Sequence, residues 1–205
     1  MNTVFTFIKA GGIMMYPMIL CSILLVAIAI ERLITLRKAS VDGDALLEAI
    51  RDEYSKGGAA KAAEVCRKAG GSLGRVFSRG LQNADKPAEA IEMALEQEAA
   101  NEQPMLEANL TIIRTIVSIS PLMGLLGTIA GMIGSFRAAS QVGLSNPTQI
   151  LGGIAEALIS TASGITIAIL GLVMYNIIAN QSKRIVEDVE YYGTELVNFL
   201  SGRIA

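Results

Sequence analysis

Hydroxyl-bearing and small side chains recur at helical spacing within one apolar stretch, PLMGLLGTIAGMIGSF at residues 121–136. A helix repeats every 3.6 residues, so side chains three or four positions apart lie on one face. Four small or polar residues of this stretch share such a face: Gly124, Thr128, Gly131 and Ser135. The pattern predicts a helix with one side suited to lipid and one side suited to protein or water.

A second apolar stretch, GIAEALISTASGITIAI at residues 153–169, has the same two-sided character. The residues of its polar side are Glu156, Ser160, Ser163 and Gly164, with Thr161 beside them. Thr128 and Thr161 both lie at internal depth in their stretches, where an apolar environment gives a hydroxyl no benefit by itself.

Two interpretations of these polar sides are open. Small residues let neighbouring helices approach closely, and hydroxyls often bond the carbonyl four residues earlier. The same groups are also suited to lining a path for ions. On spacing alone, close packing is the stronger interpretation for the glycines, and Thr128 and Thr161 are the residues that packing explains least well.

Glu156 is the acidic residue of the second stretch, and it also has two interpretations. An acidic group within a membrane span often marks a transport pathway. Glu156 would, however, lie in the first turn of its helix, where the helix dipole stabilises a carboxylate. A structural ion pair with Arg137 or with a neighbouring subunit is therefore as plausible as a role in transport.

The distribution of charge predicts the elements that carry these residues. The chain is 52% hydrophobic and 18% charged, and its mean hydropathy is +0.48. Three long runs contain no charged residue, at 10–30, 115–136 and 157–182. A helix needs about 20 apolar residues to cross a bilayer. We therefore expect three transmembrane helices, at about 12–34, 110–136 and 153–179.

Basic residues that flank these runs predict the orientation. Arg32, Arg37 and Lys38 follow the first run, and Lys183 and Arg184 follow the third. By the positive-inside rule both ends are cytoplasmic, which places the N-terminus in the periplasm and the C-terminus in the cytoplasm. The first run is interpreted as an anchor, since no small-residue cleavage site of a signal peptide ends it.

The chain as a whole is predicted to be an all-α integral membrane protein, with its second and third spans extended into a cytoplasmic helical bundle. The predicted organisation is an N-terminal segment with the first span at 1–38, a cytoplasmic helical region at 39–108, the other two spans with a short periplasmic loop at 109–180, and a cytoplasmic amphipathic helix at 181–205.

Glycine and proline divide the cytoplasmic region. We expect helix breaks at Gly57-Gly58 and Gly70-Gly71, and a helix beginning at Pro87. That helix is expected to continue into the second span as one long helix, kinked at Pro104. Asn146-Pro147 predicts a turn in the loop between the second and third spans.

Several classes of function conflict with the composition. The chain has no histidine, which removes Ser-His and Cys-His catalysis and histidine-ligated metal sites. The two cysteines lie in a span and in a charged segment, without metal-ligand spacing. A net charge of −2 without a dense basic cluster argues against nucleic acid as a partner. We expect no cofactor and no enzymatic activity.

The three apolar segments resemble the MotA/TolQ/ExbB proton-channel family. The matching pieces are GGIMMYPMILCSILLVAIAIERL for the first span, PLMGLLGTIAGMIGSF for the second, and GIAEALISTASGITIAI followed by YN for the third. The length and the three spans resemble the ExbB and TolQ branch more than the MotA-type stators, which have an additional span.

This resemblance implies a partner and an assembly. Members of the family form pentamers around a single-span subunit of the ExbD/TolR type, whose transmembrane aspartate carries the proton. Proton flow is thought to drive rotation and to deliver work to periplasmic or outer-membrane clients. The resemblance implies a multi-pass protein of the bacterial inner membrane, in contact with that subunit and with a periplasm-spanning client.

The resemblance also assigns roles to particular residues. It implies that Thr128, Thr161 and Glu156 line the proton path. For six further residues it implies helix packing or a secondary polar lining: Gly124, Gly131, Ser135, Ser160, Gly164 and Asn176. Many relatives have a proline after the third motif, whereas this chain has Leu170 and Gly171. Whether the third helix bends there is therefore open.

Two other functions compete with a proton channel. A non-conducting membrane scaffold would use the same small residues for packing alone. An intramembrane enzyme would need a nucleophile such as Ser135, but no histidine, lysine or aspartate lies at depth to activate it. We expect an energy-coupling subunit, with the scaffold as the alternative.

Overall fold

The computed structural model describes residues 10–142 and 147–202, and helices are its regular elements throughout this part of the chain. The helices are α1 (Met15–Ala39), α2 (Gly43–Ala69), α3 (Gly71–Leu81), α4 (Ala88–Leu106), α5 (Leu110–Val142) and α6 (Pro147–Leu200). The fold is all-α, as the sequence predicts. The expected turn at Asn146-Pro147 lies partly outside the described residues.

Three of the helical segments are long and apolar enough to cross a membrane. Two of them contain the predicted spans at 110–136 and 153–179, and the third begins at Met15, within the predicted span at 12–34. Pro17 lies in the first turn of α1, where a missing amide hydrogen is tolerated. Apolar side chains on α5 are exposed in the single chain, among them Leu122, Ile129 and Ile133. Large exposed apolar side chains on a helix of this hydropathy are suited to lipid or to a neighbouring helix.

The chain forms two compact units. One comprises the segments up to Ile30 and from Asn109 to Asn176, and it contains the apolar part of each predicted span. The other comprises residues from Glu31 to Ala108 together with the chain from Ile177 onward.

The second unit has its own hydrophobic core. Ile50 of α2, Phe77 of α3, Ile91 of α4 and Leu196 of α6 belong to one cluster of buried side chains. Ile185, Val189 and Leu196 form an apolar stripe along α6, and all three are buried. Val189 and Leu196 belong to this core. The helix of the third span continues through this stripe to Leu200 without interruption, as predicted.

Glycines break the helices of the second unit where the sequence predicts. Gly57 and Gly58 interrupt the helical geometry within α2, and Gly58 has a φ of 70°. Gly70 separates α2 from α3 with a φ of 65°. A positive φ costs glycine little because it has no Cβ.

The helix that begins after Pro87 does not continue unbroken into the second span as expected, and the break lies after Pro104 rather than at it. Pro104 lies inside α4, in its last turn, and the helix ends at Leu106. The chain then turns through Glu107, Ala108 and Asn109, and Asn109 has a φ of 63°. Asparagine is one of the few residues other than glycine that adopt this left-handed conformation, so it ends α4 before α5 begins.

Candidate functional site

The two threonine hydroxyls singled out by the sequence meet between α5 and α6. The Oγ1 atoms of Thr128 and Thr161 lie 3.3 Å apart, within hydrogen-bonding distance. Thr128 also donates to the carbonyl of Leu125 at 2.6 Å, and Thr161 lies 3.2 Å from the carbonyl oxygen of Gly124. The two hydroxyls and these two carbonyls form a small polar cluster in an otherwise apolar unit.

Glycines bring the two helices close enough for this contact. A Cβ added at Gly164 would lie 2.5 Å from the carbonyl oxygen of Ser120 and 3.1 Å from the Cα of Gly124. At Gly131 it would lie 2.9 Å from the carbonyl oxygen of Gly153. The packing role expected for Gly124, Gly131 and Gly164 thus has a direct geometric basis, because backbone and not a movable side chain occupies the space.

The serines of the site differ in what their hydroxyls contact. Ser135 and Ser163 each donate to a carbonyl four residues earlier in their own helix. Ser160 is fully buried, and its Oγ has no hydrogen-bond partner among the described residues. The Oγ of Ser160 lies against Gly127 of α5.

Glu156 lies apart from the threonine contact. Its carboxylate is half-buried against Gly12, which has a φ of 75° just before α1 begins. Within the described part of the chain Glu156 forms no ion pair, so the intrachain pairing with Arg137 is not found. A pairing with a neighbouring subunit stays a prediction.

Asn176 is not brought to the threonine contact either. It lies on the same helix as Thr161 but fifteen positions later, about 22 Å along the axis, and its side chain is exposed. The part played by Asn176 as secondary polar lining stays a prediction.

Sequence spacing did not identify the contribution of α1 and its preceding turn. Gly12 accommodates Glu156, and a Cβ added at Gly171 would lie 3.2 Å from a methyl group of Leu25. A Cβ at Gly171 would also lie 2.7 Å from a methyl group of Val117. Gly171 therefore allows a close helix contact in an uninterrupted α6. In the sequence, the Gly11-Gly12 pair is the feature that could have indicated the contact between Gly12 and Glu156.

The second unit contains a buried acidic residue outside the candidate site. Glu102 accepts hydrogen bonds from Ser72 at 3.0 Å and from the guanidinium of Arg75, joining α3 to α4. The hydrogen bond to Glu102 raises the pKa of Arg75 above its ordinary value. Across the described residues no cluster of histidine, cysteine, aspartate or glutamate is suited to hold a metal ion.

The geometry defines a helical membrane protein with a polar contact between two of its spans, and comparisons with known proteins identify its family. The profile of the MotA/TolQ/ExbB proton channel family matches residues 68–191, more than half of the chain. An ExbB-like biopolymer transport protein of Synechocystis is 32% identical over 170 residues, covering 82% of this chain and 81% of that protein.

Other relatives match shorter segments at similar or higher identity. The Tol-Pal system protein TolQ of Pseudomonas aeruginosa is 35% identical over 114 residues, which are 54% of this chain and 49% of TolQ. The biopolymer transport protein ExbB of Salmonella typhimurium is 46% identical over 67 residues, which are 33% of this chain and 28% of that protein.

The chain belongs to the MotA/TolQ/ExbB proton channel family, in its ExbB/TolQ branch. It is a multi-pass membrane protein of a family that couples proton movement to transport, and the family is not a class of enzymes.

Proposed function

We propose that the chain is the ring-forming subunit of a proton-driven motor in the bacterial inner membrane. Copies of the chain, five by analogy with the family, surround a single-span subunit of the ExbD/TolR type. The assembly uses the proton motive force to do work on a client that spans the periplasm or lies in the outer membrane.

The observation that carries this proposal is the contact between the hydroxyls of Thr128 and Thr161. Placing a hydroxyl within a membrane span costs little free energy only if the hydroxyl is hydrogen-bonded to a polar group or to water. These two side chains are half-buried rather than sealed into the core, so another polar group can reach them. This exposure favours a lining role over packing alone.

A partner must supply the proton carrier. The uncharged runs 115–136 and 157–182 contain no residue that titrates in the physiological range. Glu156, at the start of the third predicted span, is the acidic residue nearest to them, and it lies against Gly12 rather than beside the threonines. A transmembrane aspartate on a second chain would complete the path beside Thr128 and Thr161.

The proposed orientation follows the basic residues. Arg37 and Lys38 end α1, and Lys183 and Arg184 follow the apolar part of α6. With these residues in the cytoplasm, the unit built around Phe77 and Leu196 is cytoplasmic and the loop between α5 and α6 is periplasmic.

Replacing either threonine by valine tests the lining role. Thr128→Val and Thr161→Val keep the side-chain shape and remove the hydroxyl, so we expect folding and assembly to persist. Proton flux, measured with a pH-sensitive dye in proteoliposomes that contain the chain and its single-span partner, is expected to fall at least about tenfold, equivalent to about 1.4 kcal/mol in the barrier.

Thr166→Val is the matched control. Thr166 lies in the same span and is exposed, and its hydroxyl donates only to the carbonyl of Ala162 in its own helix. Flux through this variant should equal that of the unmodified chain. Normal flux through both Thr128→Val and Thr161→Val would overturn the lining role. An absence of flux through the unmodified chain together with its single-span partner would favour the non-conducting scaffold.

A further inference from the structure

An acidic groove runs along the second unit between α4 and α6. Glu92 and Glu96 of α4 and Glu190 of α6 form its rim. Its floor is apolar, with buried side chains that include Leu95 and Val189. The groove continues towards the end of α4, where Glu96 and Glu190 again line it.

The charge of this groove is not neutralised within the described part of the chain. None of the residues that line it is a lysine or an arginine. Glu92, Glu96 and Glu190 form no ion pair there. Three carboxylates around an apolar floor favour a cationic partner surface that also presents apolar or aliphatic groups.

A basic cleft lies on another side of the same unit. Arg67, at the end of α2, and Arg75 and Arg79 of α3 line it. Arg75 is paired with Glu102, and Arg67 lies 3.9 Å from Glu64 at an exposed site. Arg79 is exposed and its guanidinium has no ion-pair partner among the described residues. The basic cleft therefore has charge available for an acidic partner.

Helix α4 separates the acidic groove from the basic cleft. Glu96 lines the groove and Glu98 lines the cleft. Residues two positions apart in a helix point about 200° apart around its axis. Two complementary surfaces on opposite sides of one unit cannot meet within that unit, but the surface of one copy can meet the opposite surface of the next.

We propose that the basic cleft of one copy docks onto the acidic groove of a second copy of this chain. The contact is head-to-tail, and a head-to-tail contact closes into a ring when the rotation between copies permits it. This inference rests on the proposed ring and names the surfaces through which its second units associate. Arg79 of one copy faces Glu96 of the next, and the arginine methylene groups cover the apolar floor.

Cysteine cross-linking of the full chain in membranes tests the contact without removing any of the charges. Gln82→Cys places a thiol at the basic cleft, and Thr194→Cys places one at the acidic groove. A chain that carries both, treated with a short bismaleimide, should give a ladder of linked copies on a denaturing gel. A chain that carries only one should remain a single band, since a head-to-tail contact does not bring identical positions together.

The native cysteines do not interfere with this experiment. Cys21 is replaced by alanine. Cys66 is fully buried, and burial raises the pKa of its thiol to about 12, so the reactive thiolate is scarce at neutral pH.

Charge reversal identifies the pair that makes the contact. In the double-cysteine chain, Glu96→Lys should reduce ladder formation at least fivefold, and adding Arg79→Glu should restore it. Glu187→Lys is the control, since Glu187 is an exposed acidic residue of α6 that does not line the groove. Its ladder should match that of the parent.

The mass of the detergent-extracted particle separates two kinds of failure. A monomeric particle would overturn the ring and with it the proposed function. An oligomer in which the thiols introduced by Gln82→Cys and Thr194→Cys do not cross-link would overturn only the docking of these two surfaces. Cross-linking of the groove thiol to a different, basic protein, without a ladder, would likewise overturn the self-association.

Discussion

Gly164 and Gly134 lie in the two apolar spans that form the candidate site, but their surroundings differ. A Cβ at Gly164 would meet the backbone of α5, whereas at Gly134 nothing lies within 4 Å. Gly164 is therefore required by a close approach between helices, and Gly134 is not. On spacing alone, close packing is the stronger interpretation for the glycines of both spans, and spacing does not give the distance to the neighbouring helix.

Gly164→Ala should destabilise the chain by about 1–3 kcal/mol, the usual cost of adding a methyl group to a filled space. The helices must separate to admit the methyl group, so the contact between Thr128 and Thr161 should be lost as well. Thermal unfolding followed by circular dichroism in detergent measures the first effect, and proton flux in proteoliposomes measures the second.

Gly134→Ala should leave both quantities unchanged or raise the stability slightly, because alanine is favoured over glycine in a helix by up to about 1 kcal/mol. Equal melting temperatures for the two variants would contradict the close approach at Gly164.

Helical spacing predicted which residues share a face, but not which faces meet. It grouped Glu156 with Ser160, and in the structure Glu156 is half-buried and Ser160 is buried. It did not reveal that Gly12 would meet Glu156 or that Ser160 would meet Gly127. Those contacts depend on how neighbouring helices are aligned along their axes. The spacing of residues within one helix gives no information about that alignment.

At the scale of the elements, Glu102 joins α3 to α4 in the second unit. Glu102 is 5% exposed, and its carboxylate accepts hydrogen bonds from Ser72 and Arg75. Glu102→Ala removes the acceptor for both donors. We expect a loss of about 1–3 kcal/mol in the free energy of unfolding, because Ser72 is buried and would be left without its partner.

The matched control for this pair lies at the surface of α6. Glu187 is exposed and pairs with Lys183 at 3.3 Å, four positions away. Glu187→Ala should change the unfolding free energy by less than about 0.5 kcal/mol. Urea unfolding in detergent measures the free energy of unfolding of both variants. Similar losses for Glu102→Ala and Glu187→Ala would show that the hydrogen bonds of Glu102 contribute no more stability than an exposed ion pair.

The helix boundaries were predictable where glycine sets them and not where asparagine does. Gly58 and Gly70 break helices as expected. Pro104 predicts a kink, but the chain leaves helical geometry at Glu107–Asn109 instead. A proline in the last turn of a helix affects few hydrogen bonds beyond it, whereas a residue with positive φ ends the helix outright.

The whole molecule combines segments that are distant in sequence. The three spans could be predicted because charge-free runs of this length have few alternatives. The composition of the second unit could not, because its core joins α2, α3 and α4 to the last part of α6. Such long-range contacts leave only an amphipathic stripe in the sequence, without the identity of the partner helix.

The proposed orientation makes a prediction about labelling from the two sides of the membrane. In a chain with Cys21→Ala, Asp85→Cys should react with a membrane-impermeant maleimide only after the cells are opened. Thr148→Cys should react in intact spheroplasts. Both positions are exposed in the single chain. Their reversed reactivity would contradict the orientation, and the retained Cys66 should stay unlabelled in either case because it is buried.

The contact between Thr128 and Thr161 has a consequence for the group that approaches it. The two hydroxyl protons have helix carbonyls to bond, at Leu125 and Gly124, so the pair offers an outside group oxygen lone pairs rather than protons. A neutral carboxylic acid can donate its proton to such a lone pair, and a carboxylate cannot. If a partner aspartate approaches this pair as proposed, we expect the pair to accommodate the protonated form of that aspartate better than the carboxylate.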